Sequence, residues 1–207
     1  GVYKDIQKLI LENDIVLVQE FLLNKKQEAQ ISQLKDHYWG FAKSFKDSGE
    51  WTGVANISKW VPKAVDAIKS KDTEPVAGTP KMSLVTKYSL SNQKELWVAN
   101  IHSLNFDLGH SSFKNQLSET VKVLSQHTGP MIFAGDFNTW SAERLDFLLD
   151  QMKGLKMKRV PLENPMGFFG KTLDHIFYRG IDSVQGVVMK SVKSSDHKPM
   201  KIEFQIK

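Results

Sequence analysis

A run of aliphatic residues near the start of the chain constrains the fold most strongly. Residues 14–20 read Asp-Ile-Val-Leu-Val-Gln-Glu, with four branched apolar residues in succession. Such a run, bounded by polar residues, is typical of a buried strand. The preceding residues 3–11 place Ile6, Leu9 and Ile10 on one face of a predicted helix. A helix that leads into a buried strand predicts a layered α/β protein.

Strand and helix patterns continue to the end of the chain. Further strands are predicted over residues 51–58, 64–68, 82–88, 95–101, 131–134, 172–178, 184–190 and 200–206, and further helices over 26–36, 112–127 and 141–152. Ser111 or Ser112 is expected to cap the second of these helices and Ser141 the third. Residues 69–80 contain proline and glycine and are expected to form a loop. This pattern favours two packed sheets flanked by helices.

Composition excludes several classes of protein. The chain has 207 residues, 41% of them hydrophobic, and no cysteine, so it can bury a core but cannot form a disulfide scaffold. It contains no apolar run near the ~20 residues of a membrane span and no signal-peptide pattern, so a cytoplasmic protein is expected. The net charge of +5 suits an anionic partner, although many enzymes carry such a charge without functional reason.

Four carboxylates lie at or just beyond the ends of predicted strands: Glu20, Asp136, Asp174 and Asp196. Open α/β sheets place their sites at the carboxyl ends of strands. One such acid alone would be a loop or capping residue, but several converging carboxylates repel one another and require a cation. Oxygen ligands without cysteine favour Mg²⁺ or Mn²⁺ over zinc. The set therefore predicts a metal site.

Two histidines accompany these acids. His197 directly follows Asp196, and His102 ends a predicted strand. If Asp174 accepts a hydrogen bond from the His197 ring, the imidazole is oriented and its pKa rises. His175 follows Asp174 on a strand, so it should face the opposite side and have a structural role.

Five short motifs occur in the order typical of the endonuclease/exonuclease/phosphatase superfamily, which the chain resembles over nearly its whole length. They are Val16-Leu-Val-Gln-Glu20, Asn100-Ile-His102, Gly135-Asp-Phe-Asn138, Leu173-Asp174 and Ser195-Asp-His197. The superfamily includes DNase I, abasic-site endonucleases, neutral sphingomyelinases and inositol polyphosphate phosphatases. A closer resemblance is to an uncharacterised bacterial branch, through Thr52-Gly-Val, Glu74-Pro75, Asn100-Ile-His-Ser-Leu-Asn-Phe106, Gly135-Asp-Phe-Asn-Thr-Trp140 and Phe177-Tyr-Arg-Gly180.

The resemblance implies a DNase I-like, four-layer α/β sandwich of two packed mixed β-sheets flanked by helices. It also implies metal-dependent hydrolysis of a phosphate ester. Glu20 would bind the metal, and Asp196 would lie near it directly or through water. Asp136 would position or deprotonate the attacking water, and Asn138 would donate to a phosphate oxygen.

The resemblance also implies roles for the remaining polar residues. Asp174 and His197 correspond to the family's paired Asp and His, in which the histidine is either a general base or a protonated phosphate ligand. His102 and Asn105 would contact the phosphate. A divalent ion, a charged histidine and an asparagine amide would together offset the charge that develops on the phosphate.

The substrate stays open at this point. A nuclease acting on nucleic acid is favoured, and the alternatives are a phosphatase or phosphodiesterase on a small or lipid phosphate and a non-catalytic phosphate-binding module. A basic face could be supplied by Lys81, Lys114, Arg144, Lys171 and Arg179, and the alternative is that each is an ordinary surface or core residue. Trp140 and Phe168-Phe169 would flank the cleft, and residues 161–171 would form a substrate wall.

The beginning of the chain departs from the family pattern. Family members normally begin with a strand that carries an asparagine before the first helix, whereas this chain starts at Gly1, at or just before that helix. The expectation is a single monomeric domain, residues 1–207, truncated at its N-terminus. Loss of a residue that supports a metal ligand typically lowers metal affinity or activity 10–100-fold.

Overall fold

The computed structural model describes residues 1–34, 36–91, 93–162, 167–168 and 170–206. The helices are α1 (Val2–Glu12), α2 (Lys25–Ser32), α3 (Ser111–Leu124) and α4 (Ala142–Gly154). The strands are β1 (Ile15–Leu23), β2 (Tyr38–Asp47), β3 (Glu50–Ser58), β4 (Ala64–Lys69), β5 (Met82–Ser89), β6 (Glu95–His102), β7 (Met131–Asp136), β8 (Lys158–Arg159), β9 (Gly167–Phe168), β10 (Lys171–Thr172), β11 (Asp174–Arg179), β12 (Asp182–Val188) and β13 (Met200–Gln205).

Two β-sheets form the centre of the molecule. The larger has the order β4-β5-β6-β7-β11-β8, in which β6 and β7 run parallel and the other neighbours antiparallel. The parallel connection from β6 to β7 passes through α3, as a parallel pair requires. The smaller sheet has the order β1-β3-β2 and is antiparallel, and β12 pairs with β13 as a separate ribbon.

The alternation of side chains along β6 shows how the larger sheet is covered on both faces. Ala99 and Ile101 pack with α3 and α4 through residues such as Leu117 and Leu148. Leu96 and Val98 belong to the opposite face, where β1 and the β12–β13 ribbon cover them. Because α1 and α2 cover the outer side of the smaller sheet, the molecule has four layers. The predicted four-layer α/β class is therefore confirmed, although only the larger sheet is mixed and the smaller one is antiparallel.

Several predicted elements differ in detail from the structure. Strand β2 was not predicted, because its sequence carries glycine, serine and lysines rather than an apolar run. Helix α2 ends at Ser32, four residues before the predicted end. The segment 172–178 divides into β10 and β11. No helix in the described ranges is long and apolar enough to cross a membrane.

The two helix caps that were predicted have different outcomes. The Ser141 hydroxyl accepts from the amide of Arg144 at 3.2 Å, which confirms that cap. Neither Ser111 nor Ser112 caps α3, because helical geometry already begins at Ser111. The carboxylate of Asp107 instead accepts from the amide of Ser112 at 2.6 Å.

Candidate active site

The register of the larger sheet brings three predicted site residues to one edge. In the parallel pair, His102 lies opposite Asp136, and in the antiparallel pair, Asp174 also lies opposite Asp136. Laterally paired residues on neighbouring strands point to the same face of a sheet. The C-terminal ends of β6 and β7 and the N-terminal end of β11 therefore place these side chains side by side.

Gly135 allows β6 and β7 to approach each other directly before this edge. Its φ is +144°, and a Cβ atom at this position would lie 2.0 Å from the carbonyl oxygen of Ile101. Glycine adopts this conformation without steric cost, whereas any other residue would push the strands apart. The close approach of the two strands thus explains why a glycine begins the Gly135–Asn138 motif.

A bulge in β1 directs Glu20 toward the same edge. The pairing of β1 with β3 shifts register between Val18 and Phe21, and Glu20 has a positive φ of 52°. Bulges re-aim side chains in this way and are frequent beside active sites. The Glu20 carboxylate is largely exposed, and its Oε1 lies 3.6 Å from Nε2 of His102.

Asn100 fixes the backbone next to this bulge. Its buried amide nitrogen lies within 3.2 Å of the carbonyl oxygen of Val18 and 3.1 Å of that of Ala55, and its amide oxygen accepts from Gln19 at 2.6 Å. The bonds join the two sheets, because Asn100 belongs to β6 and Val18 to β1. The Asn of the Asn100–His102 motif therefore supports the strand that carries Glu20.

Asp136, Asp174 and His197 form a compact cluster. Each offers a ligand atom within 4.8 Å of the others. His197 Nδ1 lies 2.8 Å from Asp174 Oδ2. The hydrogen bond with Asp174 raises the pKa of His197 to about 9, because it outweighs partial burial of the ring, and the charges of Asp174, Asp136 and Asp196 add to it. The predicted orientation of His197 by Asp174 is present in the structure.

Asp136 lies at the centre of the cluster and is buried. Burial, followed by the charge of Asp174, raises its pKa to about 7, and Glu20 contributes in the same direction. The backbone N–H of Asn138, which donates to Asp136 Oδ1 at 2.8 Å, opposes this rise. A divalent cation fits this arrangement, because its positive charge would offset the negative charges of Asp174 and Glu20 that act on Asp136.

Asn138 lies in the loop that follows β7. Its backbone has a φ of 48°, and its side-chain nitrogen Nδ2 donates to the carbonyl oxygen of Ser103 at 2.9 Å. A side-chain amide carries two hydrogens, so one remains to donate to a ligand. The left-handed backbone and the bond to Ser103 fix the direction of this amide.

His102 is a neutral histidine in this structure. Burial lowers its pKa to about 3, and the positive charges of Lys81 and His197 act in the same direction. Its Nε2 lies 3.7 Å from Asp136 Oδ2, which is beyond hydrogen-bonding distance. A neutral ring at this position can offer one N–H group to a ligand.

Asn105 and Asp196 lie in loops at the same edge. The Asn105 amide oxygen accepts from the indole N–H of Trp140 at 2.9 Å, which orients the amide group. Asp196 is exposed, and its hydrogen bonds involve Ser195 and the amide of His197. The structure therefore groups Glu20, His102, Asp136, Asp174 and His197, and it places Asp196 beside His197, with hydrogen bonds that stay within its own loop.

The expected basic face is wrong for three of its five residues. Lys81 is buried, and its Nζ lies 3.4 Å from Glu74 Oε1. Arg144 is fully buried. Arg179 donates to carbonyl oxygens at the far end of β11, including that of Gly129. Phe168-Phe169 and most of the substrate wall lie outside the described side chains, whereas Trp140 does lie beside Asn105.

Two further observations concern residues near the cluster. His175 is structural as predicted, since its ring is buried and bonds with the hydroxyl of Thr139 at 2.7 Å. The buried pair of Lys81 and Glu74 was not predicted, although Lys81 directly precedes the apolar strand β5 and Glu74 belongs to a quoted motif. The positions of Lys81 and Glu74 in the sequence were the signals that could have indicated this buried ion pair.

Comparisons with known proteins agree with this geometry. The UPF0294 protein of Vibrio campbellii is 38% identical over 178 residues, which are 84% of this chain and 62% of the relative. A family protein from Leptotrichia buccalis has a TM-score of 0.70 at 17% identity, with 99% of this chain and 91% of that chain covered. A mannosyl-6-phosphatase from Bacteroides thetaiotaomicron has a TM-score of 0.69 at 19% identity, with 98% and 88% covered.

The chain spans about three-fifths of the length of the first curated relatives that it matches. These relatives are bacterial UPF0294 proteins, which confirms the predicted bacterial branch. The sequence model of the endonuclease/exonuclease/phosphatase family matches residues 2–197. With nearly the whole chain matched and the motif residues gathered at one sheet edge, the chain belongs to the endonuclease/exonuclease/phosphatase family.

Proposed function

We propose that this chain carries the active site of a divalent-metal-dependent phosphodiesterase that acts on nucleic acid. The main observation that supports this proposal is the convergence of Asp136, Asp174 and His197, whose ligand atoms lie within 4.8 Å of one another. The net charge of +5 and the half-buried Trp140 beside Asn105 support a polyanionic substrate with aromatic bases.

The proposed metal ligands are Glu20 and Asp196, and Asp136 and Asp174 add negative charge beside them. Oxygen donors of this kind fit Mg²⁺ or Mn²⁺. Such an ion, when bound, polarises a phosphate oxygen and stabilises charge on the leaving oxygen. Burial and the neighbouring charges of Asp174 and Glu20 raise the pKa of Asp136, so a bound cation would favour its ionised form.

A side chain of this protein would accept the proton that the attacking water loses. Asp136 Oδ1 already accepts a hydrogen bond from the backbone N–H of Asn138. We therefore propose that Oδ2 accepts a proton from the attacking water. A positioned carboxylate can act as a general base in this way. The side-chain amide of Asn138 would donate its second hydrogen, the one that Ser103 does not accept, to a phosphate oxygen.

His197 and His102 would act differently on the phosphate. The bond with Asp174 keeps His197 protonated at neutral pH, which favours the charged phosphate ligand over the general base among the two roles considered above. His102 is neutral and would offer an N–H group, together with the amide of Asn105. An imidazolium, a neutral ring and amides would thus surround the developing charge.

Phosphatase action on a small phosphate is the second candidate. It is favoured by the structural neighbour whose title names a mannosyl-6-phosphatase. It is also favoured by the burial of Lys81 and Arg144, which reduces the basic surface available to a nucleic acid. A non-catalytic phosphate-binding module is the third candidate, and the oriented His197–Asp174 pair argues against it.

Two assays separate these functions. Nicking of supercoiled plasmid DNA and phosphate release from mannose 6-phosphate are measured with Mg²⁺ or Mn²⁺, in wild type, in Asp174→Asn and in Asp150→Asn, an exposed acid on α4. The proposal expects metal-dependent nicking that Asp174→Asn abolishes and Asp150→Asn retains. Phosphate release without nicking would establish the second candidate. A metal-dependent rise in melting temperature without turnover in either assay would favour the binding module.

A further inference from the structure

Arg144 is a buried cation that none of these roles uses. It lies in the first turn of α4, and its side chain is fully buried. Burial lowers its pKa to about 10, opposed by the charges of Asp107 and Asp136, so the guanidinium stays protonated at neutral pH. A buried charge is unfavourable unless hydrogen bonds compensate for the lost water. The partners of Arg144 therefore indicate what the residue does.

The guanidinium joins the loops that follow the two parallel strands. Its Nη1 donates to the carbonyl oxygen of Leu104 at 2.9 Å and to that of Asn138 at 3.1 Å. Leu104 follows β6, and Asn138 follows β7. One nitrogen atom thus links the segment that carries Asn105 to the segment that carries Asn138.

Two aromatic rings next to the guanidinium make a second connection. Its central carbon lies 4.7 Å from the ring centre of Trp140 and 4.5 Å from that of Phe113. The Trp140 indole in turn donates to the amide oxygen of Asn105 at 2.9 Å. Arg144 therefore reaches Asn105 through both the neighbouring backbone and the tryptophan ring.

Left-handed backbone makes these loops dependent on their surroundings. Asn138, Phe106 and His110 have φ values of 48°, 55° and 58°, and none of them is glycine. Residues in this conformation persist only where neighbouring contacts hold them. Arg144 supplies such contacts, since its Nε also donates to His110 Nδ1 at 3.2 Å.

We propose that Arg144 is a positioning residue that locks the two loops together and thereby aims the amides of Asn138 and Asn105 at the substrate phosphate. The catalytic part of this inference rests on the proposed function, whereas the locking of the loops does not. Lysine cannot replace arginine here, because an ammonium group lacks the planar fork and the flat stacking faces.

The kinetic test compares Arg144→Lys and Arg144→Gln with Leu148→Val. Leu148 is buried on the same helix and packs in the core without a role in the loops, so its variant is a matched control for lost stability. We expect kcat on bis(p-nitrophenyl) phosphate with Mn²⁺ to fall on the order of 10²-fold in the Arg144 variants, as for misplaced catalytic groups. Leu148→Val should keep kcat within about twofold while it lowers the melting temperature.

A double variant shows whether Arg144 acts through Asn138. If it does, Arg144→Lys should reduce kcat by a clearly smaller factor in the Asn138→Ala background than in wild type, because one of the two amides that it positions is already absent. Fully additive losses would contradict this route. Wild-type kcat in both Arg144 variants would overturn the catalytic part of the proposal.

Amide hydrogen exchange tests the locking of the loops independently of turnover. Residues 103–110 and 137–141 should exchange at least about tenfold faster in either folded Arg144 variant than in Leu148→Val. If wild type shows no turnover on any phosphate ester, the proposed function fails while this exchange result still decides the role of Arg144. Unchanged exchange in these two segments would overturn the locking role.

Discussion

His197 Nδ1 and Asp174 Oδ2 lie 2.8 Å apart, although the two residues are separated by 23 positions in the chain. Asp174 begins β11, and His197 belongs to the loop before β13, so the fold is needed to bring them together. Because the carboxylate fixes both the direction and the charge of the ring, the pair acts as one unit.

Loss of either member of this pair should therefore cost about the same activity. We expect His197→Gln and Asp174→Asn each to lower kcat by about 10²–10⁴-fold, the usual contribution of a positioned acid–base group. The double variant should be little worse than the more damaging single variant, because the residues act together. Steady-state rates on one phosphodiester with saturating metal test this, and independent, multiplying losses would contradict it.

The same pair should give the metal-free protein a pH-dependent stability. The folded pKa of His197 is raised to about 9 from its usual value of 6.5, so the folded state binds the proton more tightly. The stabilisation is fully present below pH 6.5 and is lost as the pH rises through 9. The difference in melting temperature between wild type and His197→Gln, measured in EDTA, should shrink across this interval. A constant difference would show that the pair does not titrate as described.

Asp136 should destabilise the metal-free protein at alkaline pH. Its folded pKa is raised to about 7 from 3.8, so the folded state holds a proton that the unfolded state has lost, and stability falls between these values. Asp136→Asn should therefore melt at a higher temperature than wild type at pH 8 in EDTA, and this advantage should be absent at pH 4. Added Mg²⁺ should stabilise wild type more than the variant. A lower melting temperature for Asp136→Asn at pH 8 would contradict the proposed repulsion.

Gly135 should tolerate no side chain. A methyl group there would lie 2.0 Å from the Ile101 carbonyl oxygen at a φ of +144°, so we expect Gly135→Ala to destabilise the protein by at least about 3 kcal/mol. Gly154 on α4 is the matched control, because a Cβ atom there meets no atom within 4 Å. Gly154→Ala should be neutral or stabilising by up to ~1 kcal/mol. Denaturant unfolding measures both, and equal stabilities would contradict the close approach of β6 and β7.

The apolar strands explain why the layers of the fold were predictable. Residues 15–18 form an apolar run bounded by polar residues, and the structure has β1 there, with these four side chains partly buried. Strand β2 escaped prediction because Gly40, Lys43 and Ser44 interrupt its aromatic and apolar residues. It pairs with β3 in a hairpin through the two-residue turn Ser48-Gly49, whose positive φ values are typical of such turns, so this turn was the missed sequence signal.

The candidate site was predictable in its residues and less so in its geometry. Motif order identified Glu20, but the bulge that gives it a φ of 52° depends on the pairing of β1 with β3. Arg144 looked like a surface cation because arginine is usually exposed. Its burial follows from two loop carbonyls and two aromatic rings that come together only in the folded chain.

The central claim is that Asp136 belongs to a metal-dependent hydrolytic site. The most direct measurement is the rate of bis(p-nitrophenyl) phosphate hydrolysis with Mg²⁺, with Mn²⁺ and with EDTA, for wild type, Asp136→Ala and Asp146→Ala. Asp146 is an exposed acid on the same helix as Arg144 and serves as the control. We predict turnover that requires metal, that falls at least about 10²-fold in Asp136→Ala and that is retained in Asp146→Ala. Metal-dependent turnover that Asp136→Ala retains in full would contradict the account.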